Sequence, residues 1–279
     1  MKKFIAFAVS AILAAGLVLS LGSCGKKDEK TIVVGASSTP HAEILEQVKD
    51  VLKDKGYTLK IKIFDDYVLP DTALEQGDLD ANYFQHEPYL TDFNRQNGTH
   101  LVAVDKIHYE PLGLYGKNVT KEDYAAQGKT GKKIIIPSDG SNCTRALFVL
   151  GQEGFITLKD GVKASDSLSD KDIADKNGNE IILAEASIIP AQLKESADGT
   201  LAVINGNYAL AAGLNVKDAL ASENAESEAA LLYANIIAVK AGNENAEKIK
   251  VLVAALKTKA VYDYIVRAYS GAVLPSFSV

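Results

Sequence analysis

Hydrophobic positions along the chain change period repeatedly, and each change marks an element. Residues 31–35 (TIVVG) form a short β-branched run, and after a Ser/Thr/Pro turn Ile44, Leu45, Val48, Val51 and Leu52 set one face of a helix over about 41–53. Residues 59–64 (LKIKIF) alternate strictly and predict a strand, after which Pro70 opens a short helix that ends at Gly77. A third strand is expected near 79–84, a helix over 86–96 and a strand at 101–104. A second set begins after Pro111, with strands at 113–115 and 133–137 (KIIIP) and a helix over 142–150 introduced by Ser138, Asp139, Gly140 and Ser141. Residues 180–183 (EIIL) and 201–204 (LAVI) read as buried strands, each leading into a helix, and 231–239 (LLYANIIAV) as a long apolar strand. Helices over 245–257 and 260–269 follow, while the polar, Gly/Asp/Ser-rich stretch 158–179 reads as a surface excursion. Strands alternating with helices predict α/β layers around mainly parallel sheets.

The N-terminal pattern differs in kind. Lys2 and Lys3 precede an apolar run from Phe4 to Leu21 that closes on Leu21-Gly22-Ser23-Cys24. A basic start, an apolar middle and small residues at the end are the order of a secretory signal peptide, and the last four residues resemble a bacterial lipobox. Residues 1–23 are therefore expected to be removed and Cys24 to carry the lipid, with 24–30 (CGKKDEK) as a charged tether. An uncleaved anchor is the alternative, because the run is just long enough to span a bilayer. A diacylglyceryl group would bring two acyl chains, enough for stable anchoring on the outer leaflet.

Composition narrows the classes. The 279 residues are 47% hydrophobic and 24% charged, which suits a folded protein of one large domain or two smaller ones. The net charge of -6 becomes -8 when residues 1–23, with two lysines and no acids, are removed. A nucleic-acid surface needs clustered cations, so polynucleotide partners are excluded. Cys143 is the only cysteine besides Cys24, so no disulfide framework supports the fold. No nucleophile elbow, P-loop, zinc-helix or dinucleotide fingerprint is present, and no enzymatic activity or cofactor is expected.

The string LPDTALEQGDLDANYFQHEPYL at 69–90, with TPHAEIL (39–45), YEPLGLY (109–115), SNCTRAL (141–147), LAVINGNYA (201–209) and YANIIAV (233–239), resembles the methionine-binding lipoproteins (NlpA/MetQ type) of bacterial ABC importers. The resemblance runs in order from about Thr31 to Phe277, and DANYFQHEPYL is its most specific piece. It implies an α/β, periplasmic-binding-protein-like fold (type II) of two lobes joined by two crossover strands as a hinge, closing over ligand. Lobe one would comprise 31–109 and 234–279, lobe two 110–233, and cargo would lie in the interlobe cleft. The implied cargo is methionine; its D-enantiomer, a methionyl dipeptide and another apolar amino acid remain open, because apolar pockets discriminate a methylene by only about 1–3 kcal/mol. Implied partners are an ABC permease and its ATPase subunit, with the membrane reached through the lipid and the receptor itself a monomer.

The site chemistry agrees with a zwitterion. Arg145 falls in the predicted first turn of the 142–150 helix, where a cation opposes the helix dipole and so calls for an anionic partner such as a carboxylate. Tyr67, Phe84 and Tyr89, with His86 beside them, match the family's aromatic wall, and a thioether gains from aromatic contact. Spacing alone leaves these residues open as core aromatics beneath a turn and His86 as a structural histidine. Asn205 and Asn235 interrupt or follow apolar strands, where a buried amide must find partners, and the resemblance places both at the ligand. Asn207 reads instead as a turn asparagine. Relatives carry proline and asparagine where this chain has Ser38, Ser138 and Gly140, which would loosen turns near the cleft. Cys143 reads as a spectator, with a thiol hydrolase as an alternative. A metal receptor using His41, His86, His100 and His108 and a surface adhesin are further alternatives; the histidines show no compact ligand spacing.

Overall fold

The computed structural model describes residues 28–224 and 231–279. The expected signal peptide, Cys24 and the first half of the tether lie outside the described residues. Among these residues no helix is long and apolar enough to cross a membrane.

Two sheets, each with its own apolar core, build two lobes. The first sheet has the order β13-β4-β12-β3-β1-β2, from β1 (Thr31–Ala36), β2 (Thr58–Ile63), β3 (Ala81–His86), β4 (Leu101–Tyr109), β12 (Asn235–Lys240) and β13 (Leu274–Pro275). The second has the order β11-β5-β10-β6-β9, from β5 (Gly113–Gly116), β6 (Lys133–Pro137), β9 (Glu180–Ala184), β10 (Leu201–Ile204) and β11 (Ala221–Ser222). A small hairpin of β7 (Thr157–Leu158) and β8 (Ile173–Asp175) gives the polar excursion a fixed shape. The helices are α1 (Glu43–Glu46), α2 (Lys49–Asp54), α3 (Leu69–Gln76), α4 (Glu87–Asn97), α5 (Lys121–Ala126), α6 (Gly140–Gln152), α7 (Ile189–Glu195), α8 (Gly206–Ala211), α9 (Glu247–Leu256) and α10 (Lys259–Tyr269).

Local chemistry accounts for most of these bounds. Pro70 and Pro88 occupy the first turns of α3 and α4, and Gly77 and Gly98 close them in the left-handed conformation at φ 86° and 65°. The expected helix over 41–53 is instead interrupted at Gln47 and Val48, so the apolar stripe shifts and Val51 ends 42% exposed while Ile44, Leu45, Val48 and Leu52 are buried. The sheets are mixed rather than mainly parallel. β1 pairs in parallel with β2 and β3, and β6 with β9 and β10, as β-α-β units must. β12 enters the middle of the first sheet from the other lobe and therefore runs antiparallel to both β3 and β4. That strand starts at Asn235, four residues later than the apolar run 231–239 suggested; Leu231 is 65% exposed, and Tyr233 packs in the crossover instead.

The chain passes between the sheets twice. Glu110, Pro111 and Leu112 link β4 to β5, and the return lies between β11 and β12, a stretch that includes the undescribed residues 225–230. The carboxyl ends of β1 and β3, the amino end of α6 and the loop after β10 face the gap between the lobes.

Candidate functional site

A cleft enclosing about 320 Å³, its open mouth included, lies between the lobes. It is lined by Tyr67, Phe84, Gln85, His86, Tyr89, Glu110, Asn142, Arg145, Asn205, Gly206, Asn207 and Asn235. All seven residues singled out in the sequence as ligand contacts are among these.

The first lobe supplies an aromatic wall. The Tyr67 ring stacks on Phe84 with centroids 5.7 Å apart and meets Tyr89 edge-on at 5.5 Å. Phe84 and Tyr89 also belong to an apolar cluster with Leu74, Leu90, Phe93 and Ile236, so they serve as core and cleft wall at once. His86 is the N-cap of α4, its Nδ1 accepting from the Tyr89 backbone N–H at 3.2 Å. That bond leaves the proton on Nε2, which donates across the cleft to Asn142 Oδ1 at 3.2 Å. Burial, then the Arg145 charge, lowers His86 to about 3, so the ring is neutral.

The second lobe supplies the charge. Helix α6 begins at Gly140 rather than Asn142, capped by Asp139, whose side chain accepts from the Asn142 N–H. Arg145 therefore sits in its second turn. Its anionic partner is internal: Glu223, on the return crossover, takes Arg145 Nε at 2.9 Å and Nη2 at 2.6 Å. Glu223 also accepts from Tyr109 Oη at 2.8 Å and from the Leu112 N–H at 2.9 Å. Arg145 Nη2 further donates to the Glu110 carbonyl at 2.8 Å, and the guanidinium lies 4.7 Å from the Tyr233 ring centroid. Only Nη1 remains for the cleft, its nearest acceptor being Asn142 Oδ1 at 3.5 Å.

Three residues the sequence reading passed over organise this centre. Asn142 accepts at Oδ1 from Asn205 Nδ2 at 2.8 Å and from His86, while its own NH2 donates to Asp139 at 3.0 and 3.1 Å. Asn207, expected in a turn, is buried in the cleft wall and accepts from Tyr67 Oη at 2.6 Å across the lobes. Glu110 stands on the first crossover, 5% exposed. The motifs YEPLGLY, SNCTRAL and LAVINGNYA contained all three, but only long-range pairing distinguishes a hub from a cap or a turn.

Asn205 Oδ1 has no hydrogen-bond partner among the described residues, although it is buried. Asn235 Oδ1 is engaged by His41 Nε2 at 3.0 Å, so its NH2 is the part left for a cleft ligand. Cys143 is buried, and burial, then the Asp139 charge, pushes its thiol up to about 12, which disfavours the thiolate a hydrolase would need. A side chain at Gly140 would run into Ser167 and Asp92. The four-histidine metal reading does not hold, since His100 is exposed and His86 is bonded to the cleft amide. His41, His108 and Glu110 do cluster, with their facing atoms within 4.8 Å, but both ring nitrogens that face Glu110 are already engaged, His108 Nε2 by Glu110 and His41 Nε2 by Asn235 Oδ1. We assign no metal there.

A family model described as NlpA lipoprotein matches residues 32–277. The methionine-binding lipoprotein MetQ of Bacillus subtilis (strain 168) is 38% identical over 279 residues, 99% of each chain. A crystal structure of a lipoprotein from Ruminococcus gnavus ATCC 29149 shares 49% identity at a TM-score of 0.82, covering 88% of this chain and 99% of its own. A nutrient binding protein from Burkholderia cenocepacia, solved bound to methionine, shares 36% identity at a TM-score of 0.78, covering 88% of this chain and all of its own.

Proposed function

The chain belongs to the NlpA lipoprotein family, a family of membrane-anchored substrate-binding proteins and not of enzymes, and from that premise we propose that it is the extracytoplasmic receptor of an ABC importer for methionine. It captures the amino acid between its lobes and delivers it to a permease with an ATPase subunit. Lobe one is read as 31–109 with 234–279 and lobe two as 110–233, and the receptor acts as a monomer held by lipid on Cys24. Mass spectrometry of the mature N-terminus tests that anchor; an unmodified Met1 or an unmodified Cys24 refutes it.

The observation that carries the reading is a cleft in which a buried guanidinium and a partnerless amide oxygen, Asn205 Oδ1, face an aromatic wall. A zwitterion with an apolar side chain satisfies all three. Arg145 Nη1 and the Asn235 NH2 take the carboxylate, Asn205 Oδ1 accepts from the ammonium, and Tyr67, Phe84, Tyr89 and His86 enclose the side chain. A thioether is polarizable and suits that wall. Contacts from both lobes stabilise the closed state in proportion to the difference in affinity between closed and open forms.

Isothermal titration calorimetry with L-methionine, D-methionine, a methionyl dipeptide and leucine tests both the class and the choice within it. Arg145→Ala is expected to abolish binding without unfolding the protein; unchanged affinity removes Arg145 from the site. Absence of heat with every amino acid and peptide refutes the reading as a whole.

A further inference from the structure

One buried group of the cleft lining is not used by this reading. Glu110 Oε1 accepts from His108 Nε2 at 2.8 Å and lies 3.4 Å from His41 Nε2. The two rings are themselves held in place: Tyr83 Oη pairs with His108 Nδ1, and His41 Nε2 is shared with Asn235 Oδ1. With Nδ1 engaged by the Tyr83 hydroxyl, the His108 proton sits on Nε2 and points at the carboxylate. On the other side Glu110 Oε2 reaches the second lobe, where a side chain on Gly206 would come within 2.7 Å of it.

Charge is the unbalanced quantity. Burial lowers His108 to about 3 and His41 to about 4, so both rings donate as neutral imidazoles and bring no positive charge. Arg145 is already matched by Glu223. Glu110 is thus a desolvated carboxyl group, its pKa raised by burial against the pull of His41, Arg145 and the Asn207 backbone N–H, with no counter-charge of its own among the described residues and a face on the cleft. An ionised carboxylate out of water is costly unless a cation meets it. Two further acceptors in the same lining lack partners, Asn205 Oδ1 and Gln85 Oε1, and an ammonium carries three donors.

We propose that Glu110 is a further cargo-binding residue that receives the cargo's ammonium, and that His108 and His41, with Tyr83 behind them, are positioning residues that aim its carboxylate, so that the receptor demands a free cationic amine. This rests on the amino-acid reading of the cleft and adds a selectivity rule to it. A cargo without the amine leaves Glu110 buried and uncompensated, whatever its side chain.

The test compares L-methionine with (methylthio)butanoate, its desamino analogue, by calorimetry at neutral pH. The unaltered protein is expected to prefer methionine by at least a hundredfold. Glu110→Gln weakens methionine at least tenfold and leaves the desamino acid unchanged, so the preference shrinks. His108→Leu shrinks it in the same way, and His108→Gln, whose amide still donates from nearly the same place, restores it. Tyr83→Phe, which removes one hydroxyl and no volume of consequence, gives a smaller loss in the same direction and serves if His108→Leu does not fold. A purely structural role for the histidines would weaken both ligands equally, and that result overturns the positioning claim. An undiminished preference in Glu110→Gln overturns the ammonium contact while methionine binding stands. If the unaltered protein binds neither compound nor any amino acid, the reading of the cleft itself is what fails.

Discussion

Replacing Glu223 by alanine strips Arg145 of its main partner, and the geometry sets the size of the effect. The carboxylate takes two donors from the guanidinium, one from Tyr109 and one from the Leu112 backbone, and the two side chains are 3% and 12% exposed. Removing one member of a buried pair leaves an uncompensated charge and costs about 3–5 kcal/mol. For a chain of this size each kcal/mol moves the melting temperature by about 2–4 °C, so a drop of roughly 6–20 °C is expected. Urea unfolding followed by circular dichroism measures the change, with an unaltered slope confirming that the native state is still compact. The Arg145→Ala, Glu223→Ala double variant closes the cycle: with no charge left over, it should be more stable than the sum of the single losses by about 2 kcal/mol. A Glu223→Ala loss under about 1 kcal/mol, or a cycle energy near zero, refutes the view that Glu223 holds the arginine.

Two further perturbations separate closure from stability. Gly206→Ala puts a methyl 2.7 Å from the Glu110 side chain on the first crossover, at the base of the cleft, so methionine affinity should fall while each lobe keeps its fold; calorimetry beside small-angle scattering, which should show a wider particle with ligand present, checks it. Asp71 is raised from 3.8 to about 7 by burial, against the pull of its bonds from Asn82 and Gln85. A folded-state value above the unfolded one makes stability fall as pH rises from about 4 to 7. Asp71→Asn should therefore match the unaltered protein near pH 4 and exceed it at pH 8 by about 4 kcal/mol at most. Equal stability of the two proteins at pH 8 in urea titrations contradicts the shift.

Legibility of the site followed the range of the interactions. Arg145 could be suspected from a charge set against a helix dipole, but the inference that it needed an anion was satisfied within the chain, by Glu223 from 78 residues away. Asn205 and Asn207 stand two positions apart in one motif and look alike in sequence; both are buried, one bonded to Asn142 and the other to Tyr67. Four histidines without regular spacing gave no hint that His41 and His108 converge on Glu110, because the first crossover and the turn after β1 meet only once the first sheet is assembled.

What the sequence determined by itself is the alphabet of elements and their order: β-branched runs for β1, β6 and β10, prolines and glycines that open and close α3 and α4, and a string around Phe84 specific enough to name a family. These are short-range facts, set by sterics and by apolar spacing within one turn or one strand. Tertiary structure alone decided that β12 returns antiparallel into the first sheet, that the aromatic wall faces a guanidinium already paired, and which amides and carboxylates are left without partners. Those outcomes depend on what burial brings to each polar atom, and a hydrogen bond across two lobes leaves no period in the chain.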